Sequence, residues 1–298
     1  MIEKKSITWF LIITLLISWP LFIAPLAFKN MDTITKQLAT QGLWAVAMWG
    51  PGIAAIITTL FIAKKPFNSL RLNTLGPKRF YLWAWFLPLG LTIVSGLFTL
   101  LFGIAKLDLN FTMIRDAMAS AAGGGEVPVE IIVLTQILFA ITLAPFINVL
   151  FALGEELGWR GFLLPHLMPL GQWKAILISG VIWGVWHAPA IMQGHNYPGY
   201  PILGSFMMIV FCVLLGTIIA WMYLNTKSPW AAALAHGSVN AVAGLSIVFF
   251  QPDFNMAFGG TLAAPTAWIG MALFIAWLAW TKQLPVQSQV EEAEATVG

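Results

Sequence analysis

The stretch Pro145–Pro165, PFINVLFALGEELGWRGFLLP, decides how the rest of the chain is read. It has the length and apolar character of a membrane helix, yet Glu155, Glu156 and Arg160 stand inside it. Insertion scales put the cost of such a charge at the bilayer centre at roughly 2.5 to 3.5 kcal/mol, so intramembrane ionisable residues mark function by default. Glu156 and Arg160 are four residues apart and share a helix face, where they can pair. Glu155 is turned by about 100° from Glu156 and faces elsewhere. This suggests a division between a paired, orienting carboxylate and a reactive one. The plainer alternative is a carboxylate pair at a helix end, at headgroup depth.

The composition around this stretch supports a membrane setting. Of 298 residues, 59% are hydrophobic and 9% charged, and the mean hydropathy is +0.84. The pattern predicts an all-α polytopic membrane protein with about eight transmembrane helices around a polar intramembrane cavity. They are expected at about 7–27, 43–63, 80–104, 131–164, 174–191, 202–224, 230–250 and 263–281. The first run is too long for a signal-peptide core and is kept as a span. The chain (1–298) reads as one membrane domain. The connection at about 105–130, with Gly123, Gly124 and Gly125, suits a mobile loop, and residues 285–298, with Glu291, Glu292 and Glu294, read as a disordered cytoplasmic tail.

Charge placement sets the expected orientation, because short basic loops stay cytoplasmic. Lys64, Lys65, Arg71, Lys78 and Arg79 follow the second span with no acid between them. Lys4, Lys5, Arg160, Lys174, Lys227 and Lys282 fall on the same side, against Lys29, Lys36, Lys106 and Arg115 opposite. A cell-membrane protein with both termini cytoplasmic is predicted. The net charge of +3 expresses this bias, and nucleic acid need not be invoked.

Two more ionisable residues fall in apolar runs: His187 in WGVWH and His236 in HGSVN. Trp183 lies four residues before His187, and Asn240 four after His236, so each imidazole has a companion on its own face. Trp183 is expected to pack on the His187 ring, and Asn240 to donate a hydrogen bond beside His236. A lone histidine in a helix is often a satisfied core residue, but two in separate spans beside a carboxylate pair argue for a site. Gly154 and Gly158, with Gly180 and Gly184, have the spacing that lets helices approach closely, and helices 4 and 5 are expected to meet there.

Depth imposes a condition on this grouping. If helix 4 ended at Gly154, His187 would lie about 20 Å deeper than the carboxylates. Helix 4 must therefore continue from about Pro145 to Leu164, with 131–144 as a kinked approach. His236, about 10 Å into helix 7, then suggests a cavity opening to the cytoplasm. His166 and His195 read as ordinary loop residues, and Cys212 as a packing residue. Ser238 lies in no Gly-x-Ser-x-Gly elbow, and no His-Glu-x-x-His motif occurs.

At these residues the chain resembles the CPBP family of intramembrane proteases, also called the CAAX protease and bacteriocin-processing or Abi family. The family's Glu-Glu-x-x-x-Arg pattern matches Glu155, Glu156 and Arg160, and its His-x-x-x-Asn pattern matches His236 and Asn240. Its Phe-x-x-x-His pattern matches Trp183 to His187, with Trp in place of Phe. Order and spacing agree over about 130–250, the expected catalytic core. The resemblance implies peptide-bond hydrolysis in the membrane, with Glu155 as the base activating water and His187 assisting. His236 and Asn240 would form the oxyanion site, with Glu156, Arg160 and Trp183 as structural support. Such a mechanism requires no cofactor. Zinc held by Glu155, His187 and His236 is the alternative. The implied partner is a hydrophobic or lipidated CAAX-like peptide, or a bacteriocin-type peptide, within the lipid bilayer. A proton-coupled transporter and a non-cleaving immunity or scaffold protein are the competing readings. No repeat of broken helices supports the transporter.

Overall fold

A computed structural model describes residues 3–120 and 127–286. The regular elements among them are helical, and the one extended pairing is an isolated bridge between Leu107 and Phe250. In chain order they are α1 (Lys4–Ile23), α2 (Thr33–Ala47), α3 (Gly50–Ile57), α4 (Arg79–Leu101), α5 (Thr112–Ser120), α6 (Val129–Thr142) and α7 (Ala144–Gly158). A π turn at Trp159–Leu163 carries α7 into α8 (Leu164–Leu167). There follow α9 (Gln172–Trp186), α10 (Ala188–Ile191), α11 (Pro201–Thr226), α12 (Pro229–Val242) and α13 (Pro265–Trp280).

A helix stands at each of the eight expected places, but the span count differs. Among the described residues five helices are long and apolar enough to cross a bilayer, or six when the bent pair α6 and α7 counts as one. The α9 and α13 helices, at 15 and 16 residues, would reach only about 22 and 24 Å at 1.5 Å per residue, short of a hydrocarbon core of about 30 Å. The chain is nonetheless a multi-pass membrane protein. The second span also begins earlier than expected, at Thr33, where the Asp32 carboxylate caps the helix by accepting from the Thr35 N–H at 2.9 Å. Part of the expected loop at 105–130 is α5. Its three glycines, Gly123 to Gly125, and nearly all of the expected tail lie outside the described residues.

The bend between α6 and α7 is 47° and has a local cause. Pro145 has no N–H, and its ring would crowd the carbonyl of Ile141 four residues earlier. That carbonyl instead accepts from the Trp85 indole on α4 at 2.7 Å. A broken backbone pair inside a membrane protein must be satisfied by a neighbour, and Trp85 does this.

The α7 helix is held between α12 and α3, α9 lies on α11, and α4 packs on α12 and α13. Small residues permit these approaches. A Cβ on Gly154 would sit 2.8 Å from the Met48 carbonyl oxygen, and one on Gly237 would sit 2.8 Å from that of Pro145. Gly158 meets Pro51 in the same way. Gly180 and Gly184 face Val213 and Ile209 on α11. The two glycine pairs thus form separate seams, α7 on α3 and α9 on α11, which corrects the expectation that they face each other.

Candidate active site

Glu155, Glu156 and Arg160 lie at the C-terminal end of α7 and in the π turn that continues it, so the helix does run past the carboxylates. All three are inside the protein, at 2%, 0% and 2% exposure. Arg160 Nη1 donates to both Glu156 oxygens, at 2.8 and 2.9 Å. Arg160 was expected among the cytoplasmic loop charges. The structure corrects this: burial against Glu156 removes it from any surface count. Its guanidinium carbon lies 4.4 Å from the centre of a Trp183 ring, and Gly216 on α11 leaves it room.

The Glu156 carboxylate holds a second partner that spacing did not indicate. His236 Nδ1 lies 2.8 Å from Glu156 Oε1, linking α12 to α7 through an Arg160–Glu156–His236 chain. A carboxylate that already accepts from Arg160 can only accept again, so Nδ1 carries the proton. A neutral His236 would then present a bare Nε2, and donation from Nε2 would require both nitrogens to be protonated.

Glu155 is positioned by tryptophans. Its Oε2 accepts from the Trp183 indole at 2.6 Å and from the Trp159 indole at 3.3 Å. No hydrogen bond within the protein engages Oε1 among the described residues. Trp159 was not anticipated, although its position four residues after Glu155, on the same face, was a readable signal. Trp183 was expected to serve His187. Its ring does sit 5.7 Å from that imidazole, but its N–H serves Glu155, and its backbone carbonyl receives His187 Nδ1 at 2.9 Å. A carbonyl can only accept, so His187 in its neutral form presents a lone pair at Nε2. Trp186 packs edge-on to the same imidazole at 4.7 Å. Cys212, buried and free, lies behind it with Sγ 3.8 Å from Nδ1.

Trp183 is therefore the hub. Its ring also meets His236 at 5.3 Å, so Glu155, Arg160, His187 and His236 all surround one side chain. Asn240 is not drawn in. It lies one turn beyond His236 on α12, exposed, with no hydrogen-bond partner among the described residues. Ser238 is fully buried and its hydroxyl also lacks a partner. Three cavities of about 400, 510 and 250 Å³ have neither Glu155, His187 nor His236 in their walls.

The zinc alternative can be weighed by donor geometry. No group of three or more His, Cys, Asp or Glu side chains suited to a metal occurs among the described residues. Glu155 Oε2 points into two indole N–H groups, His187 Nδ1 to a carbonyl, and His236 Nδ1 to Glu156. The atoms these bonds leave open are Glu155 Oε1 and Nε2 of each histidine, which are the atoms that would hold an ion, because a metal-bound histidine commonly donates its other ring nitrogen to a carbonyl or carboxylate.

These features define a class: a helical multi-pass membrane protein with a buried carboxylate and imidazole centre. Comparison with known proteins carries this further. Residues 132–242, which include every candidate site residue, match the family model described as type II CAAX prenyl endopeptidase Rce1-like. The chain is also 28% identical over 212 residues to a protein named CAAX prenyl protease 2 from Methanococcus maripaludis, a match covering 67% of this chain and 72% of that protein. The family resemblance carried by the three motifs is thereby upheld, and it supports an intramembrane endopeptidase.

Proposed function

We propose that this protein hydrolyses a peptide bond in a hydrophobic or lipidated, CAAX-like peptide inside the membrane, with Glu155 as the general base. The single observation that carries the reading is the clamp on Glu155: two indole N–H groups hold Oε2 and leave Oε1 with no hydrogen-bond partner among the described residues. A fixed carboxylate with one open oxygen suits proton abstraction from water, which is a poor nucleophile until a positioned base acts on it. His187, presenting Nε2, is the second acceptor for that water. The water oxygen bonds to the scissile carbonyl carbon as its proton passes to Glu155. The tetrahedral oxyanion then collapses, the C–N bond breaks, and the Glu155 proton goes to the leaving amine.

His236 is assigned to the oxyanion. Since its Nδ1 is committed to Glu156, this role requires the doubly protonated ring, so that Nε2–H can donate. Asn240, one turn away on the same helix and without a hydrogen-bond partner among the described residues, is the second donor once substrate is bound. Glu156 and Arg160 hold His236 in place rather than touching substrate.

The test is cleavage of a C-terminal peptide library, with and without a prenyl group, by purified wild type, Glu155→Gln and His187→Ala. Loss of a general base is expected to lower kcat by about 10²- to 10⁴-fold. Cleavage retained by both variants would overturn the mechanism. Inhibition by a chelator with recovery on zinc addition would replace it with the metal-dependent form.

A further inference from the structure

A second polar constellation lies outside the Glu155 centre, at the end of the molecule where α11 passes into α12. A cavity of about 400 Å³ opens there between the connection after α3, the stretch following the π turn and the C-terminal end of α11. Its rim carries Arg71 and Lys227, both held in left-handed backbone conformations, with φ of 59° and 54°. Neither makes an ion pair or side-chain hydrogen bond among the described residues. The anion in the cavity wall, Glu3, is already engaged by Lys65 at 2.7 Å.

The cations are placed by a built framework rather than by a loose loop. Leu70 is buried, the Leu72 carbonyl accepts from the Trp230 indole at 2.8 Å, and Gly76 lies against the Thr226 carbonyl. These contacts hold Arg71 near Lys227. Burial first, and then the Arg71 charge, pull the Lys227 ammonium below its ordinary range. Deeper in the wall, Tyr223 is 2% exposed, and its hydroxyl makes no hydrogen bond among the described residues. The buried Nε2 of His166 also lacks a partner, lying 3.6 Å from Glu3. An unpartnered hydroxyl on a largely buried tyrosine and two unpaired cations around one space ask for an oxyanion with several acceptor oxygens. The remaining wall, with Phe162 and Leu224, is apolar.

We propose that this cavity binds the phosphate of an anionic phospholipid headgroup, with Arg71 and Lys227 neutralising its charge and Tyr223 donating to it. The lipid is favoured over a soluble anion because the cavity lies where membrane helices end, with polar groups and apolar wall side by side.

The test uses the full chain purified in detergent, titrated with phosphatidylglycerol, phosphatidylcholine and inorganic phosphate, with binding read by native mass spectrometry. Saturable binding of phosphatidylglycerol is expected, weakened at least about 10-fold in Arg71→Gln/Lys227→Gln and less in Tyr223→Phe, and falling with added salt. Lys29→Gln/Lys36→Gln is expected to bind as wild type does. Equal binding of the two lipids, unaltered binding by the double variant, or inorganic phosphate binding as tightly as phosphatidylglycerol would each overturn the proposal. None of these outcomes depends on peptidase activity, so the two readings fail separately.

Discussion

Two side chains, Glu156 and Trp183, hold the candidate site together, and in the proposed mechanism neither is a reacting group. Glu156 is fully buried between Arg160 and His236, and a buried charge is tolerated only while its partners are kept. Glu156→Gln leaves the Arg160 charge uncompensated and is expected to cost about 3 to 5 kcal/mol, seen as a lower thermal unfolding midpoint in detergent. Replacing the pair together, as Glu156→Leu/Arg160→Met, is expected to restore much of that midpoint while activity stays lost. A single variant as stable as the wild type would mean that the pair carries little. Trp183→Phe keeps the aromatic ring facing Arg160 and His236 but removes the 2.6 Å bond to Glu155. A hydrogen bond to a charged group contributes about 1.5 to 3 kcal/mol, so kcat/KM is expected to fall about 10-fold or more with the fold intact. Unchanged kcat/KM would show that the indole does not orient the carboxylate. The indole also distinguishes this chain from the Phe-x-x-x-His pattern, since phenylalanine has no donor for Glu155.

A break in regular structure, a packing seam and a hydrogen-bonded turn matter at the level of elements. The bend before α7 exists because Pro145 frees the Ile141 carbonyl, which Trp85 captures. Trp85→Phe is expected to destabilise the protein by about 1 to 3 kcal/mol, the cost of a buried acceptor left without a donor. Faster hydrogen exchange around residues 141–146 would report it, and unaltered exchange would count against this account of the bend. The α7–α3 seam predicts a different loss. Any side chain at Gly158 meets Pro51, so Gly158→Val is expected to cost about 1 to 3 kcal/mol and to displace the carboxylates, lowering activity even where folding survives. At the far end of α4, Asp108 accepts from the Thr112 and Asn110 N–H groups at 2.7 and 2.8 Å. The Thr112 bonds, above all, hold its carboxyl below the usual range. A depressed pKa contributes stability that is complete above the ordinary carboxylate value and is lost as pH falls through the lowered one. The turn at 108–112 is therefore expected to lose protection below about pH 4, measured by exchange corrected for intrinsic rate, and Asp108→Asn to remove that dependence.

For the whole molecule, the structure groups five of the basic residues around two cavities at one end. Lys65, Arg71 and Lys227 border one cavity and Arg79 and Lys282 another, both reaching the C-terminal end of α11. Glu3 and Val286, at the two ends of the described chain, border the same two cavities. Reporters fused at both termini are expected to be active on the cytoplasmic side, and a split result would overturn the orientation drawn from charge. The helical membrane class followed from composition, because apolar runs in a bilayer can satisfy their backbone only as helices or closed barrels. The candidate residues were legible for a related reason, that ionisable groups are expensive in hydrocarbon and stand out. Spacing of four correctly paired Glu156 with Arg160, since that contact is local to one helix. It could not show that Glu156 also holds His236, that Trp183 turns its indole to Glu155, or that Asn240 finds no partner among the described residues. It could not separate spans from shorter helices either, or reveal which glycine seam meets which neighbour. Contacts within a helix are set by its period and can be read along the chain. Contacts between helices depend on rotation and tilt about each axis, and these are decided only when all the helices pack together.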